Sequence, residues 1–437
     1  MDYEAIVLGG GPAGSTAAAL LARAGQRVLV LEKERFPRFH IGESLLPYNQ
    51  AIFAELGVVP ALEAAGFPRK YGAQFHLGND TRHRRFEFRQ GRFTRYTETW
   101  QVERAVFDEL LLNNARRWGS EVREGWAALR CGLDERGRWV EAAEITGGKP
   151  VRLHAAFVVD ATGRANFTGN QEGLRVVHPQ LKKVAIFAHF HGVRRDRGEA
   201  AGDTVIIRLA RGWFWLIPIG AEKTSVGLVM DQEDLARAGE PPERVFERHL
   251  SQARPLQRRM ERAERVGPWR TTSDFSYYNR RLVGPRLLRT GDAAGFMDPI
   301  FSAGVFLAMR SGKLAAAAVQ EALKQGTDGR FLLAHYEREI WRSMRFYWRM
   351  VEGFYTTPFL EIFMEPRENF SLVSAVNAVL AGEVEGGWKL RWRLELFFAL
   401  VRLQRRWALT PRINFDASTA PDPFAFLSRG FPQKAMK

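Results

Sequence analysis

The sequence predicts an α/β protein with a second, antiparallel sheet inserted into it and a mainly helical C-terminal part. Three observations carry this reading. From the first residues, a buried strand, a glycine-rich turn, an alanine-rich helix and a second buried strand follow one another. Two later stretches, residues 86–104 and about 183–230, alternate apolar with polar side chains as antiparallel strands do. After about residue 330 the chain is aromatic-rich and reads as helix. The 437 residues suffice for two or three packed lobes, and 46% hydrophobic with 26% charged residues is the balance of a globular protein.

The first unit begins with "EAIVLGGGPAG", a strand running into a turn, and continues as the helix "GPAGSTAAALLARAG", closed by Gly25. "QRVLVLEKE" is the next strand and ends in Glu32. Gly9, Gly11 and Gly14 form G-x-G-x-x-G at the strand-to-helix junction, and Glu32 lies 18 residues after Gly14. Each part has a physical reason. Gly9 permits the tight turn, Gly11 lets the backbone approach a pyrophosphate, and Gly14 lets helix and strand pack closely. The helix N-terminus favours phosphate charge, and Glu32 can accept from ribose hydroxyls. This is a dinucleotide-binding, Rossmann-type lobe.

Further elements follow in order. "AVFDELLLNNARRWG" (105–119) is an amphipathic helix, and "FVVDATG" (157–163) a buried strand ending in small residues. "RLLRTGDAAGFMDPIFSAGVFLAMRSGKLAAAAVQEAL" returns to strand, glycine-rich loop and long helix. The organisation predicted is a discontinuous cofactor lobe (1–70, 101–175 and 275–330), an antiparallel-sheet substrate region (71–100 and 176–274) and a helical region (331–437).

Composition excludes several classes. No apolar run is long enough for a transmembrane helix. The first residues lack a signal peptide's basic n-region and cleavage site, and a single cysteine, Cys131, rules out an internal disulfide. Together these predict a cytoplasmic location, without membrane contact. The net charge of +15 is dispersed and no nucleic-acid-binding signature accompanies it, so nucleic acid is not an expected partner. No cluster has metal-ligand spacing, and His189 and His191, on one side of a strand, read as structural or pocket residues.

Two segments choose between flavin and nicotinamide cofactors. "QVERAVFDELL" (101–111) and "RTGDAAGFMDPIFSAG" (289–304) resemble the additional cofactor-contacting segments of FAD proteins of the aromatic-hydroxylase superfamily. That resemblance sets Arg104 near FAD and Asp292 on its ribityl or pyrophosphate part, and "DATG" (160–163) fits the same pattern. Only one dinucleotide fingerprint occurs in the chain, which points to reduction of the flavin by a separate flavin reductase.

Four motifs narrow the resemblance to the flavin-dependent halogenases, over residues 1–380: "HIGESLLP" (40–47), "RKYGAQF" (69–75), "WFWLIP" (213–218) and "DPIFSAG" (298–304). The resemblance implies the following roles. Lys70 is the essential lysine that directs hypohalous acid. Trp213, Trp215, Ile217 and Pro218 form a barrier between flavin and substrate. Backbone N–H groups of Ser302, Ala303 and Gly304 bind halide. Pro12, Ala13, Lys33, Ile41, Gly42, Ser44, Pro299, Gly304 and Val305 join Gly9, Gly11, Gly14, Glu32, Arg104 and Asp292 on the cofactor. Reduced FAD with O₂ gives a C4a-hydroperoxide, which oxidises chloride or bromide. With eleven lysines against 53 arginines, a lysine beside Arg69 is informative, since a guanidinium cannot act as an amine donor.

The chain departs from the family pattern. Ala303 replaces the second serine of the halide loop, Phe301 stands where tryptophan halogenases carry a glutamate, and the context of the lysine also differs from theirs. Free tryptophan is therefore not the expected substrate. The pattern is closer to enzymes acting on phenol-, pyrrole- or indole-type rings, including rings tethered to acidic carrier proteins, which a basic enzyme would steer. The alternatives are a halogenase-like flavin monooxygenase or hydroxylase and a geranylgeranyl-reductase-type flavoprotein. Trp213 and Ile217 replace the tyrosine and phenylalanine of the reductase motif.

Overall fold

The computed structural model describes residues 1–79, 81–273, 276–365 and 369–415. The chain divides into two compact units, one of Met1–Arg69, Thr99–Val177 and Phe275–Arg345, the other of Lys70–Glu98, His178–Asp274 and Phe346–Lys437. Residues 331–437, expected as a helical region of their own, divide between the two: those up to Arg345 group with the first unit and those from Phe346 with the second.

The first unit is built on a parallel sheet. Its strands run in the order Leu287–Arg289, Val151–Asp160, Tyr3–Leu8, Val28–Glu32 and Glu121–Glu124. The antiparallel strands Gly137–Glu144 and Trp126–Asp134 extend from Val151–Asp160. Register sets Val7 opposite both Val30 and Val159. The central strands are buried on both faces, which is why they read as unbroken Val/Ile/Leu runs. The helix Pro12–Arg23 starts with Pro12 in its first turn and gives way to Gly25 at φ +82°. Cys131 packs in this core, and burial pushes its thiol up to about 11.

The second unit holds a seven-stranded sheet. Its order is Glu264–Ser273, Lys183–His191, Thr224–Asp231, Gly212–Pro218, Thr204–Leu209, Gly72–Leu77, His83–Glu87. It is not wholly antiparallel, because Thr204–Leu209 pairs in parallel with Gly72–Leu77. One face carries Ile186, Val205, Ile207, Phe214, Leu216 and Leu228 into a core closed by Val245, Phe246 and Leu256. On the other face, Phe75 and Phe86 stack edge-on and tilted against Phe363 of the helix Thr357–Met364.

Residues 86–104 are strand only in part, although their alternation reads as antiparallel strands. His83–Glu87 is a strand, Phe88–Gln90 is a single 3₁₀ turn, and pairing resumes only at Thr99–Trp100. Phe86 and Phe88 are both buried, so the apolar alternation reflects one-sided burial across the turn. The basic segment near residue 388 forms the helix Gly387–Gln404, which buries Leu390, Leu394, Phe397 and Val401 at helical spacing and leaves Trp388 exposed. Among the described residues no helix is long and apolar enough to cross a membrane.

Candidate active site

At the carboxyl ends of the parallel strands the first unit opens into a cavity of about 450 Å³. Gly9, Gly11, Pro12, Ala13, Glu32, Lys33, Ile41, Gly42, Arg104, Asp292, Gly304 and Val305 all line it. Gly14, Ser44 and Pro299 do not. Gly14 lies under the turn, where a β-carbon would stand 1.9 Å from the Gly9 carbonyl oxygen. Ser44 is held by a bridge to Gln101, and Pro299 opens a 3₁₀ turn.

The glycines have the shape a diphosphate needs. Gly9 takes φ +98°, and a β-carbon there would meet the Ala161 carbonyl oxygen at 2.4 Å. At Gly11 the nearest atom to a β-carbon is an Arg38 nitrogen at 3.5 Å, so its backbone faces open space. Glu32 accepts from the Gly10 N–H at 2.7 Å and the Glu34 N–H at 2.8 Å, which fixes the carboxylate at the cavity wall. Arg104 forks onto Asp108 at 2.7 and 2.9 Å and donates to the Ile41 carbonyl at 2.7 Å. It thereby clamps the "HIGES" loop to the helix Arg104–Arg117. Asp160 accepts four hydrogen bonds from Thr162 and Thr168, locking the "DATG" turn. Burial raises the Asp292 carboxyl to about 6, against the pull of Arg164 and Arg104. The cavity's size, glycine turn and acid fit FAD.

The loop Asp298–Gly304 stands at one end of this cavity. Asp298 accepts from the Ile300 N–H at 3.0 Å, and Ser302 takes φ +56°. The Ser302 N–H donates to the Pro299 carbonyl at 3.0 Å, so of the three expected halide donors it is already engaged. The cap of the long helix Gly304–Gln325 is Ala303. Ala303 and Gly304 therefore supply first-turn N–H groups. Both line a second void of about 30 Å³, with Asp298 and the buried Arg310 in its wall, which is room for one water-sized species.

In the second unit Lys70 is 2% exposed. Its amine lies 5.6 Å from the Phe88 ring centroid. Burial pushes the amine down to about 7, while the Asp203 carboxylate pulls it upward. Asp203 was not legible in the sequence. It is held there by Arg85 at 2.6 Å and Gln74 at 3.2 Å, both through Oδ2. Oδ1 accepts no hydrogen bond among the described residues. The parallel register that sets Thr204 opposite Ala73 brings this carboxylate beside Gly72, where a β-carbon would stand 3.2 Å from Oδ1. Burial also raises the Asp203 carboxyl above its ordinary range.

Trp213 and Trp215 point to one face of their strand, with ring centroids 6.0 Å apart. Trp213 donates to the Tyr355 hydroxyl at 2.9 Å and Trp215 to Ser225 Oγ at 3.1 Å. Phe214 points the other way, into the opposite core, 5.2 Å from Phe246. Ile217 and Pro218 are buried, and pairing with the neighbouring strand ends at Pro218–Thr224.

Comparison with known proteins extends this picture. A family model described as "FAD binding domain" matches residues 2–352. The chain is 30% identical to the 1H-pyrrole-2-carbonyl-[peptidyl-carrier protein] chlorinase of Pseudomonas fluorescens, over 89% of this chain and 91% of that one. It is 37% identical to a tryptophan 2-halogenase of Chondromyces crocatus, over 76% of this chain and 64% of that one. A solved flavin-dependent brominase superposes with a TM-score of 0.82 at 28% identity, covering 92% of this chain and all of that one (100%).

Proposed function

This chain belongs to the flavin-dependent halogenases, and from that premise we propose that it places a halogen on an electron-rich aromatic ring through Lys70. It is an oxidoreductase that works with FAD and with chloride or bromide. Bound in reduced form, FAD supplies the electrons with which O₂ becomes the oxidant of the halide.

The chain's own groups account for the remaining steps. Ala303 and Gly304 hold the halide at the end of the cofactor cavity through N–H groups at the start of the helix. Lys70 meets the hypohalous acid. An amine at about 7 is present as both ammonium and free base at neutral pH. The ammonium donates a hydrogen bond to the hypohalous oxygen, leaving the halogen electrophilic. The free base instead forms a haloamine with loss of water. Asp203 holds the charge balance at that nitrogen. The barrier role of Trp213 and Trp215 rests on the family likeness alone.

The substrate class follows the same likeness. One relative is named for a pyrrole carried on a peptidyl-carrier protein, and a net charge of +15 suits an acidic carrier. A separate reductase supplies reduced flavin, because a single dinucleotide fingerprint serves the whole chain.

The buried amine of Lys70 is the observation that carries this reading. The test supplies holoenzyme with NADH, a flavin reductase, O₂ and bromide or chloride. Phenols, indoles and pyrroles, free and carrier-bound, are then examined by mass spectrometry for the halogen isotope doublet. Wild type should give it. Lys70→Ala should bind FAD and consume reduced flavin without halogenated product. Oxygenated product formed equally well without halide would identify a hydroxylase instead.

A further inference from the structure

The second unit contains another cavity, of about 700 Å³, at the turn joining Thr204–Leu209 to Gly212–Pro218. Among the described residues its wall carries four arginines, Arg208, Arg211, Arg237 and Arg248, against one carboxylate, Asp234. Three of the four have anionic partners. Arg211 and Arg237 pair with Asp234 at 2.6 and 3.5 Å, and Arg248 reaches Glu240 at 3.8 Å.

Arg208 is different. It is only 8% exposed and forms no ion pair among the described residues. Its Nη1 donates to backbone carbonyls alone, those of Leu209, Ala210 and Gly212. Its Nε is buried and donates to nothing among the described residues. The rings of Tyr355 and Phe415 flank the guanidinium at 5.8 and 5.7 Å. Burial pushes it down to about 10, with Tyr355 and Asp231 opposing only through their fields, so it is still charged at neutral pH. A buried cation without a hydrogen-bonded counter-charge is costly, and proteins supply one. Here the guanidinium lies in the wall of the cavity.

We propose that this cavity binds an oxyanion, the phosphate or carboxylate group of a small molecule, with Arg208 as its buried anchor and Arg248 at its rim. The volume lies in the range of about 300–1,000 Å³ typical of small-molecule sites. A guanidinium with free N–H groups is suited to planar recognition of such anions. The site shares no residue with the cofactor cavity or with Lys70, so it stands whether or not Lys70 directs the halogen.

Titration calorimetry of the holoenzyme with inorganic phosphate and with acetate, at constant chloride and ionic strength, tests this. The expected result is saturable binding of one or both. Phosphate alone marks a phosphate ester as the ligand, and acetate alone a carboxylate. Arg208→Gln should weaken binding about tenfold or more. Arg248→Gln, at the rim and outside the hairpin, should weaken it in the same direction and guards against loss of folding in the first variant. Arg117→Gln, on the exposed surface of the first unit, should bind as wild type does. Absence of saturable binding, or equal weakening by Arg117→Gln, overturns the proposal, as does wild-type binding by both cavity variants.

Discussion

The indole of Trp215 covers Gly227 on the neighbouring strand, and a β-carbon at Gly227 would stand 2.2 Å from Trp215 Cζ2. Gly227 also lies opposite Phe187, whose ring is 5.8 Å from Trp215. A glycine between two large rings gives them the area their own strand denies them. That is how two indoles one residue apart fit on a single face. Gly227→Ala should destabilise the protein by about 1–3 kcal/mol and shift its tryptophan fluorescence. Denaturant unfolding indistinguishable from wild type would contradict the packing.

Lys70 gives a stability prediction apart from catalysis. Its amine sits near 7 in the folded protein against 10.5 when free. Between those values the unfolded chain binds more protons, so this residue makes stability rise with pH, and its burial is most unfavourable below about pH 7. Lys70→Met should therefore stabilise the protein by about 2–4 kcal/mol near pH 6, with the gain shrinking towards pH 10. Urea unfolding of both proteins across that range measures it, and a pH-independent difference would refute the buried amine.

Asp203 should govern where on the pH axis Lys70 works. Its carboxylate is the group that raises the Lys70 amine against burial. Asp203→Asn removes that pull, so the amine should titrate below 7 and the pH profile of halogenation should move towards acid. Arg85 and Glu87 stay in place, joined at 2.6 Å. FAD content is the control, because Asp203 is not among the residues lining that cavity. A profile that keeps its position shows that Asp203 does not set the charge on Lys70.

Gly312 deserves the same attention as the fingerprint glycines. A β-carbon there would stand 2.3 Å from the Ala13 carbonyl oxygen, and at Gly14 one would stand 1.9 Å from that of Gly9. Both contacts are with backbone, which cannot swing aside. Gly14→Ala and Gly312→Ala should each purify with little bound flavin, read from visible absorbance. Full flavin content in Gly312→Ala would show that the two helices tolerate separation.

The sequence made the cofactor unit legible because its chemistry is local. A glycine turn, a proline-started helix and an acid at a strand end fall within residues 9–32. The direction of the two indoles also followed from strand alternation. What escaped was set by partners far along the chain. Nothing in "GDTV" announces that Asp203 will face Lys70, because a parallel pairing of distant strands brings them together. Ser302 illustrates a different limit. The resemblance counts its N–H among the halide donors, but the left-handed turn engages that N–H with the Pro299 carbonyl. At residues 86–104, alternation could not distinguish continuous strand from a strand and a turn that bury the same side.

The cavity assigned to FAD has walls drawn from Leu8 through Ala308. During synthesis the dinucleotide fingerprint leaves the ribosome early, but the far wall is added only after most of the chain has been made. The complete cavity is therefore available only late in synthesis, in a unit that has by then been interrupted twice by segments of the other. Truncations ending before residue 308 should consequently yield no flavoprotein, however intact their glycine motif.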